Sequence, residues 1–262
     1  MTLWLLMAHP GVMRGKDGKA PHIQLKEDAV ARYVLLPGSP ERARLTASMF
    51  DESEEKAFHR EYLSFTGKYQ GVDVTVMSTG MGVFSAVTAV EELADIGADT
   101  FLRIGSCATY QKEINLGDNI IASGCIRDEG CTLEFAPLSF PAVPNLDVMM
   151  TLIESAKQIG ATYHTGVVRT CENFYTRDRS PPLNDQYARL GAVALEMELS
   201  AILMASIDLG KRAGGILTVG SNLVTTENRY KGQRVQEFDT GEKNMIKIAL
   251  ETIKELHTKD NQ

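Results

Sequence analysis

Three arginines lie where a guanidinium would bind an anion. Arg103 falls inside the otherwise apolar run 101–104. A charge in such a run must be paired or hold a ligand, because an unpaired buried charge is costly. Arg42 follows the turn at Gly38 in the first turn of a predicted helix, and Arg60 lies in a short polar segment. A guanidinium binds phosphate through two parallel hydrogen bonds, so these residues predict a phosphate site. Structural ion pairing stays open, and it is favoured for Arg42 or Arg60 taken alone.

Small-residue loops follow three predicted strands. They are Gly38-Ser39, the segment 79–82 and Gly105-Ser106. In open α/β sheets ligands bind outside the strand ends, and glycine lets backbone amides approach an anion closely. Each loop taken alone is typical of an ordinary turn. None has the spacing of a nucleotide P-loop or of a dinucleotide-binding fingerprint.

Two carboxylates flank Met197 at the start of a predicted helix. Glu198 precedes a stretch of Leu, Ala and Ile, so a solvated surface position is not expected for it. A buried carboxylate needs hydrogen-bond donors, and the paired hydroxyls of a ribose would supply them. For Glu196 a surface position stays open.

Composition excludes several classes of partner. The net charge of -7 provides no basic footprint for nucleic acid, whose binding relies on Lys and Arg. The apolar stretch 3–7 is too short for a signal peptide core or a membrane span. The cysteines have neither CxxC nor zinc-like spacing, so we expect reduced thiols, a cytoplasmic location and no metal ion. They are Cys107, Cys125, Cys131 and Cys171.

Strand and helix patterns alternate along the chain, which indicates the α/β class. A length of 262 residues suits one domain, 1–262, since such folds often reach this size undivided. Strands are predicted over 33–36, 72–77, 100–104, 119–122, 165–168 and 215–219. Helices are predicted over 85–96, 148–160, 194–210 and 244–257, the last with one apolar stripe.

Motifs spread over nearly the whole chain, in a fixed order, are more specific than any one of them. They are PHI at 21–23, VLLPGSPER at 34–42, HREY at 59–62, STGMG at 78–82, FLRIGS at 101–106, FAPLSFPAV at 135–143, FY at 174–175, EME at 196–198 and NMIKIAL at 244–250. In these motifs the chain resembles the trimer- and hexamer-forming nucleoside phosphorylases, and especially the bacterial uridine phosphorylases. The resemblance implies a mixed central β-sheet flanked by α-helices.

The resemblance also implies a role for each matching residue, with Arg103, Glu198 and Arg60 as the catalytic set. Phosphate would be bound by Gly38, Arg42, Arg103 and Ser106, and by Arg60 of a neighbouring subunit. Ribose would be bound by Glu196, Met197 and Glu198, and at its 5′ end by the neighbour's His22. Phe174 and Cys107 would contact the base. Phosphate would be a co-substrate, no cofactor would be needed, and the active unit would be a dimer within a hexamer.

The base-binding segments depart from the family pattern. Uridine phosphorylases place a Gln and an Arg after the Phe-Tyr pair, where this chain has Arg177 and Arg179 but no Gln. Purine enzymes carry an Asp general acid after the last strand, where this chain has 220–222 without an acid. Hydrogen bonds alone can stabilise a departing uracil anion, whereas a departing purine benefits from protonation by an acid. Because this chain lacks that acid, uridine is the favoured substrate.

The candidate donors to the base are Arg177, Arg179 and Asn222. The two arginines are equally well explained as solvated charges beside Asp178. Three alternatives to a uridine phosphorylase stay open: a purine nucleoside phosphorylase, a nucleosidase that uses water, and a nucleoside-binding protein without activity.

Overall fold

The computed structural model describes residues 12–175 and 180–262, and within them nine strands form one mixed sheet. The strands are β1 (Tyr33–Leu36), β2 (Glu52–His59), β3 (Tyr62–Tyr69), β4 (Val72–Met77), β5 (Thr100–Thr109), β6 (Asn119–Asp128), β7 (Tyr163–Cys171), β8 (Ala194–Glu196) and β9 (Arg212–Asn222). Their order is β2-β3-β4-β1-β5-β8-β7-β6-β9, and β5 also pairs with β9. The strands β5, β8, β7, β6 and β9 therefore close into a ring.

Helices cover both faces of this sheet. They are α1 (Pro40–Ala47), α2 (Val83–Asp95), α3 (Leu146–Ile159), α4 (Ser180–Arg189), α5 (Leu199–Asp208) and α6 (Val235–Asp260). One apolar cluster joins α2 and α5 to the sheet, and a second joins α1, α3 and α6 to it. Such two-sided burial explains why β1 is apolar at every position, since a parallel strand covered on both faces has no solvent side.

Most predicted elements are confirmed. The predicted strands 33–36 and 72–77 have the bounds of β1 and β4, and the C-terminal helix is longer than its apolar stripe indicated. The predicted helix 194–210 is wrong at its start, because Ala194–Glu196 is β8, which pairs with β5 and β7. Ala, Leu and Glu favour helix locally, but strand pairing overrides that weak preference. Helix α5 begins only at Leu199.

The turn expected at Gly105-Ser106 is also wrong. Strand β5 continues through both residues to Thr109, pairing with β9 along its length. The hairpin of β2 and β3 was not predicted, because β2 has the sequence ESEEKAFH and lacks an apolar face. Its tip carries Arg60 and brings Glu61 against Gly80 of the loop 79–82.

Candidate active site

The guanidinium of Arg103 lies in a space kept open by two glycines. A Cβ added at Gly38 would lie 3.5 Å from Nη1 of Arg103, and one at Gly105 would lie 3.0 Å from its Nε. Gly105 follows Arg103 by two residues, so both lie on the same face of β5. The sequence predicted that these glycines let backbone amides approach an anion. In the structure they also leave the space that the Arg103 side chain occupies.

Arg103 itself is 3% exposed and only partly satisfied. It forms an ion pair with Glu198 and donates through Nη1 to the carbonyl of Leu36 at 3.3 Å. Its Nε has no hydrogen-bond partner in residues 12–175 and 180–262, and a Glu196 carboxylate oxygen lies 3.8 Å from it. An unsatisfied buried donor costs about 1–3 kcal/mol, so this N–H marks a place where a ligand oxygen would be stabilised.

Glu198 links Arg103 to the start of helix α2. Its second oxygen accepts the backbone N–H of Gly82 at 2.7 Å. Gly82 is the residue that precedes α2, and its φ of 102° favours glycine. Glu198 is 4% exposed. Because an ionised carboxylate has about four acceptor sites, it retains capacity for two more donors.

Glu196 is buried rather than at the surface, with 3% exposure. It accepts the hydroxyl of Thr170 at 2.6 Å and the backbone N–H groups of Glu198 and Leu199 at 2.8–3.0 Å. Burial and the charge of Glu198 together raise the pKa of Glu196 to about 7, against the opposing effects of Arg103 and of the hydrogen bonds that Glu196 accepts. Its hydrogen bonds fix the turn between β8 and α5 and thereby the direction of Glu198.

Arg42 is buried at the N-terminal end of α1. Ser39 caps this helix by accepting the Arg42 backbone N–H at 3.3 Å, as an Asp at that position also would. The Arg42 guanidinium donates to Glu242 at 2.6 Å and to the carbonyl of Ile104 at 3.4 Å. Structural ion pairing, the alternative considered for Arg42, is therefore present. The Ile104 contact also places Arg42 beside β5, next to Arg103.

A further arginine, Arg229, was missed by the sequence argument. Its guanidinium lies 3.9 Å from the ring centroid of Phe238 and 4.6 Å from that of Tyr230. Phe238 and Glu242 are four residues apart on α6 and share a face, so Arg229 and Arg42 come to the same end of that helix. Burial lowers the pKa of Arg42, Glu242 opposes this, and the charges of Arg103 and Arg229 lower it further. Arg229 begins the short 3₁₀ helix Arg229–Lys231 in the loop between β9 and α6, where the sequence has no periodic pattern that would indicate it.

A cavity of about 410 Å³ lies beside this charged cluster. Phe174 is 54% exposed and packs edge-to-face on Tyr175 and Tyr230 at centroid distances of 5.3 and 6.1 Å. The cavity adjoins Glu198 through the neighbouring Met197 and the Gly82 hydrogen bond. Its lining is mostly apolar, as a planar ring requires, and consists of Met81, Gly82, Val83, Phe84, Glu172, Asn173, Phe174, Tyr175 and Met197.

A family model described as the phosphorylase superfamily matches residues 32–254. The chain belongs to the phosphorylase superfamily. It is 40% identical to the uridine phosphorylase of Thermococcus kodakarensis over 247 residues, which cover 90% of this chain and 88% of that protein.

Solved structures of the superfamily share the fold. The uridine phosphorylase of Vibrio fischeri matches with a TM-score of 0.85 and 32% identity, covering 90% of this chain and 98% of that one. The purine nucleoside phosphorylase of Toxoplasma gondii, solved with immucillin-H, matches with a TM-score of 0.87 and 29% identity, covering 94% and 99%. The family and fold inferred from the sequence motifs are confirmed.

Other candidate residues of this phosphorylase lie in different settings. Ser106 is half-buried within β5. Cys107 packs in the apolar cluster of α2 and α5, and burial raises the pKa of its thiol, so the structure places it in the core and not at an open base site. Arg177 and Arg179 lie outside the described residues.

The Asn222 side chain is already fully used within the chain. Its amide donates to the carbonyls of Gln111 and Ile114 at 3.0 and 2.9 Å. Its oxygen accepts the N–H groups of Val224 and Thr225 at 2.9 and 3.0 Å. An amide has two donor hydrogens and two acceptor sites, so the structure corrects our assignment of Asn222 from the base to the loop after β9.

His22 and Arg60 do not join the Arg103 cluster. Arg60 is exposed at the tip of the β2–β3 hairpin with a φ of 56°. His22 is partly exposed, with its ring held by Glu92. We call the surface formed by His22, His59 and Arg60 the outward patch, since His59 Nδ1 donates to the His22 carbonyl at 2.8 Å.

Two absences hold for the described part of the chain. No group of three or more His, Cys, Asp or Glu there is placed to hold a metal ion. Neither does any helix in those ranges have the length and apolar character to cross a membrane.

Proposed function

We propose that this chain catalyses the phosphorolysis of uridine. Inorganic phosphate replaces uracil on the ribose, giving ribose 1-phosphate and the free base, so the enzyme is a pentosyltransferase. The observation that carries the proposal is the unsatisfied Nε of Arg103 beside Glu198, an anion-binding donor next to a carboxylate with free acceptor sites. Relatives named uridine phosphorylase support the choice of nucleoside.

The phosphate dianion is bound by Arg103 and Arg42. Gly38 lets it approach the backbone, and the hydroxyl of Ser106 is a further donor on β5. Burial lowers the pKa of Arg42, and the charges of Arg103 and Arg229 lower it further, so a dianion bound beside these side chains would stabilise the charged form of Arg42.

The ribose is bound by Glu198 and Met197. The two remaining acceptor sites of the Glu198 carboxylate receive the 2′- and 3′-hydroxyls, and Met197 packs on the apolar side of the sugar. Glu196 acts through Glu198 by fixing its backbone.

Cleavage of the glycosidic bond places positive charge on the ribose and negative charge on the leaving uracil. The electron pair of the C1′–N1 bond leaves with uracil, a phosphate oxygen forms the new bond to C1′, and the proton of the hydrogen phosphate dianion passes to the departing uracil. The bound dianion stabilises the positive charge that develops on the ribose, and its fixed orientation lowers the entropic cost of the reaction. No cofactor takes part.

The active unit is a dimer, arranged as a hexamer. Arg60 and His22 point outward, and each belongs to the site of a second copy of the chain. The surface around them also exposes Phe58 by 55% and Phe84 by 66%, and large exposed apolar side chains are typical of interaction surfaces. A cytoplasmic location is part of the proposal and agrees with four unpaired cysteines.

A purine nucleoside is the second candidate substrate, because the Toxoplasma gondii purine enzyme has a similar fold. Release of base from a panel of uridine, inosine and adenosine, with and without phosphate, tests both. We expect release from uridine only with phosphate. Equal release without phosphate would identify a nucleosidase, no release would identify a binding protein, and preference for inosine would refute uridine.

A further inference from the structure

Glu92 is a buried carboxylate on the apolar face of α2. It is 3% exposed, and its neighbours on the helix belong to the apolar cluster of α2 and α5. A carboxylate in such a place is costly unless donors surround it. Glu92 accepts the backbone N–H of His22 at 3.0 Å, that of Ile23 at 2.9 Å, and Nδ1 of the His22 ring at 2.5 Å.

This arrangement fixes the tautomer of His22. A carboxylate only accepts hydrogen bonds, so Nδ1 of His22 carries the hydrogen and Nε2 of the neutral ring is an acceptor. The His22 side chain is 43% exposed. Within the described ranges Nε2 receives no hydrogen bond, so it is available to a hydroxyl group from outside the chain.

The outward patch lies beside the cluster around Arg103. His59 connects His22 to the hairpin tip that carries Arg60. The neighbouring Glu61 packs against Gly80, where a Cβ would lie 2.7 Å from the Glu61 Cγ. His22 is thus connected, through the tip of the hairpin, to the 79–82 loop, which binds Glu198 through Gly82.

We propose that Glu92 is a positioning residue for the reaction: it holds His22 with Nε2 outward to accept a sugar hydroxyl of the nucleoside bound by a second copy of the chain. The proposal rests on the proposed function and on the 5′-hydroxyl as the partner of His22. The alternative is that Glu92 only anchors the backbone of residues 22 and 23.

Kinetics with and without the 5′-hydroxyl distinguish the two roles. Glu92→Gln keeps the shape and the acceptor oxygen, but its amide can also donate to Nδ1 and so releases the tautomer. We expect the KM for uridine to rise about five-fold, the loss of one net hydrogen bond. The KM for 5′-deoxyuridine and the KM for phosphate should stay unchanged. Glu154→Gln, an exposed helical carboxylate on α3, is the control and should change neither.

A double-mutant cycle tests whether Glu92 acts through His22. Adding Glu92→Gln to His22→Ala should raise the KM for uridine no further, since both changes remove one interaction. Equal effects on uridine and 5′-deoxyuridine, or additive effects in the double variant, would overturn the proposal. If the unchanged protein released uracil from uridine equally well without phosphate, that result would instead overturn the proposed function.

A spectroscopic measurement does not depend on how well the variants fold. In protein carrying ¹⁵N-labelled histidine, the neutral His22 ring should show Nδ1 protonated and Nε2 bare. The opposite tautomer in the unchanged protein would refute the role of Glu92.

Discussion

The Arg103 cluster and the outward patch differ in how many of their polar side-chain atoms have a hydrogen-bond or ion-pair partner within this chain. Among the side-chain nitrogens and oxygens of Arg103, Glu196 and Glu198, only Nε of Arg103 has no hydrogen-bond partner within the described residues. At the outward patch Arg60 is exposed, and Nε2 of the partly exposed His22 has no hydrogen-bond partner within the described residues. The first region is preorganised before any ligand binds, whereas in the proposed dimer the second is completed by another copy.

Removing Arg103 should have the largest effect. Arg103→Ala leaves Glu196 and Glu198 without their cation and removes the donor to phosphate, so kcat/KM should fall by about 10³-fold or more. Steady-state kinetics with varied phosphate measure it, and circular dichroism checks the fold. The control is Arg44→Ala, an exposed arginine of α1 paired with Glu55. Unchanged phosphate dependence in Arg103→Ala would remove the contrast between the two regions.

Mixing two impaired variants tests whether the outward patch serves a second copy. In a dimer of His22→Ala and Glu198→Ala chains, one site receives both intact residues. Random pairing makes half of the dimers mixed, so the activity at low uridine should be about three times the mean of the two parents. Activity of the refolded mixture checks this. If the mixture has only the mean activity of its parents, His22 acts within its own chain.

Replacing Arg229 should have a smaller effect, which we expect in the KM for phosphate. Arg229→Ala removes a charge beside Arg42, so the KM for phosphate should rise a few-fold, about what 0.5–1 kcal/mol would produce. Arg229→Lys should keep part of the charge but lose the planar stacking on Phe238. Lys231→Ala, in the same loop, is the control. An effect on thermal stability without any effect on phosphate would make Arg229 purely structural.

The smallest effect concerns the pH dependence of stability. Because the folded-state pKa of Glu196 is raised to about 7, the folded chain holds a proton that the unfolded chain loses near pH 4.5. The contribution of this proton to the free energy of unfolding is therefore fully present below pH 4.5 and is lost as the pH rises through about 7. Urea unfolding between pH 5 and 8 should show a flatter profile for Glu196→Gln. A slope that is unchanged in this variant would assign the proton to another group.

The sequence predicted the Arg103 region better than the outward patch, for physical reasons. Arg103 and Glu198 stand out because a charge in an apolar run must be compensated, and burial confirms both as core residues. The carboxylate of Glu92 sits in an equally apolar helix, but its donors come from residues 22 and 23, about seventy positions away along the chain. Neither spacing nor periodicity reports such a contact.

Local sequence also failed where pairing decided the structure. Gly105 has the composition of a turn, yet β9 holds it in a strand, and its missing side chain serves Arg103. Asn222 has the chemistry of a base donor, yet four backbone groups use it. In both cases the residue type indicated a special role correctly, and only the three-dimensional neighbours decided which one.

Gly82, which precedes helix α2, donates its N–H to Glu198, and the helix carries Glu92 ten residues later. A rise of 1.5 Å per residue separates these points by about 15 Å along one rigid rod. In the proposed dimer, the first point belongs to the chain's own site and the second to that of its neighbour. Any tilt of α2 when a nucleoside binds to Glu198 therefore also moves His22 in the neighbouring site. Because α2 connects the two sites of the proposed dimer, we expect the affinity of each site for nucleoside to depend on whether the other is occupied.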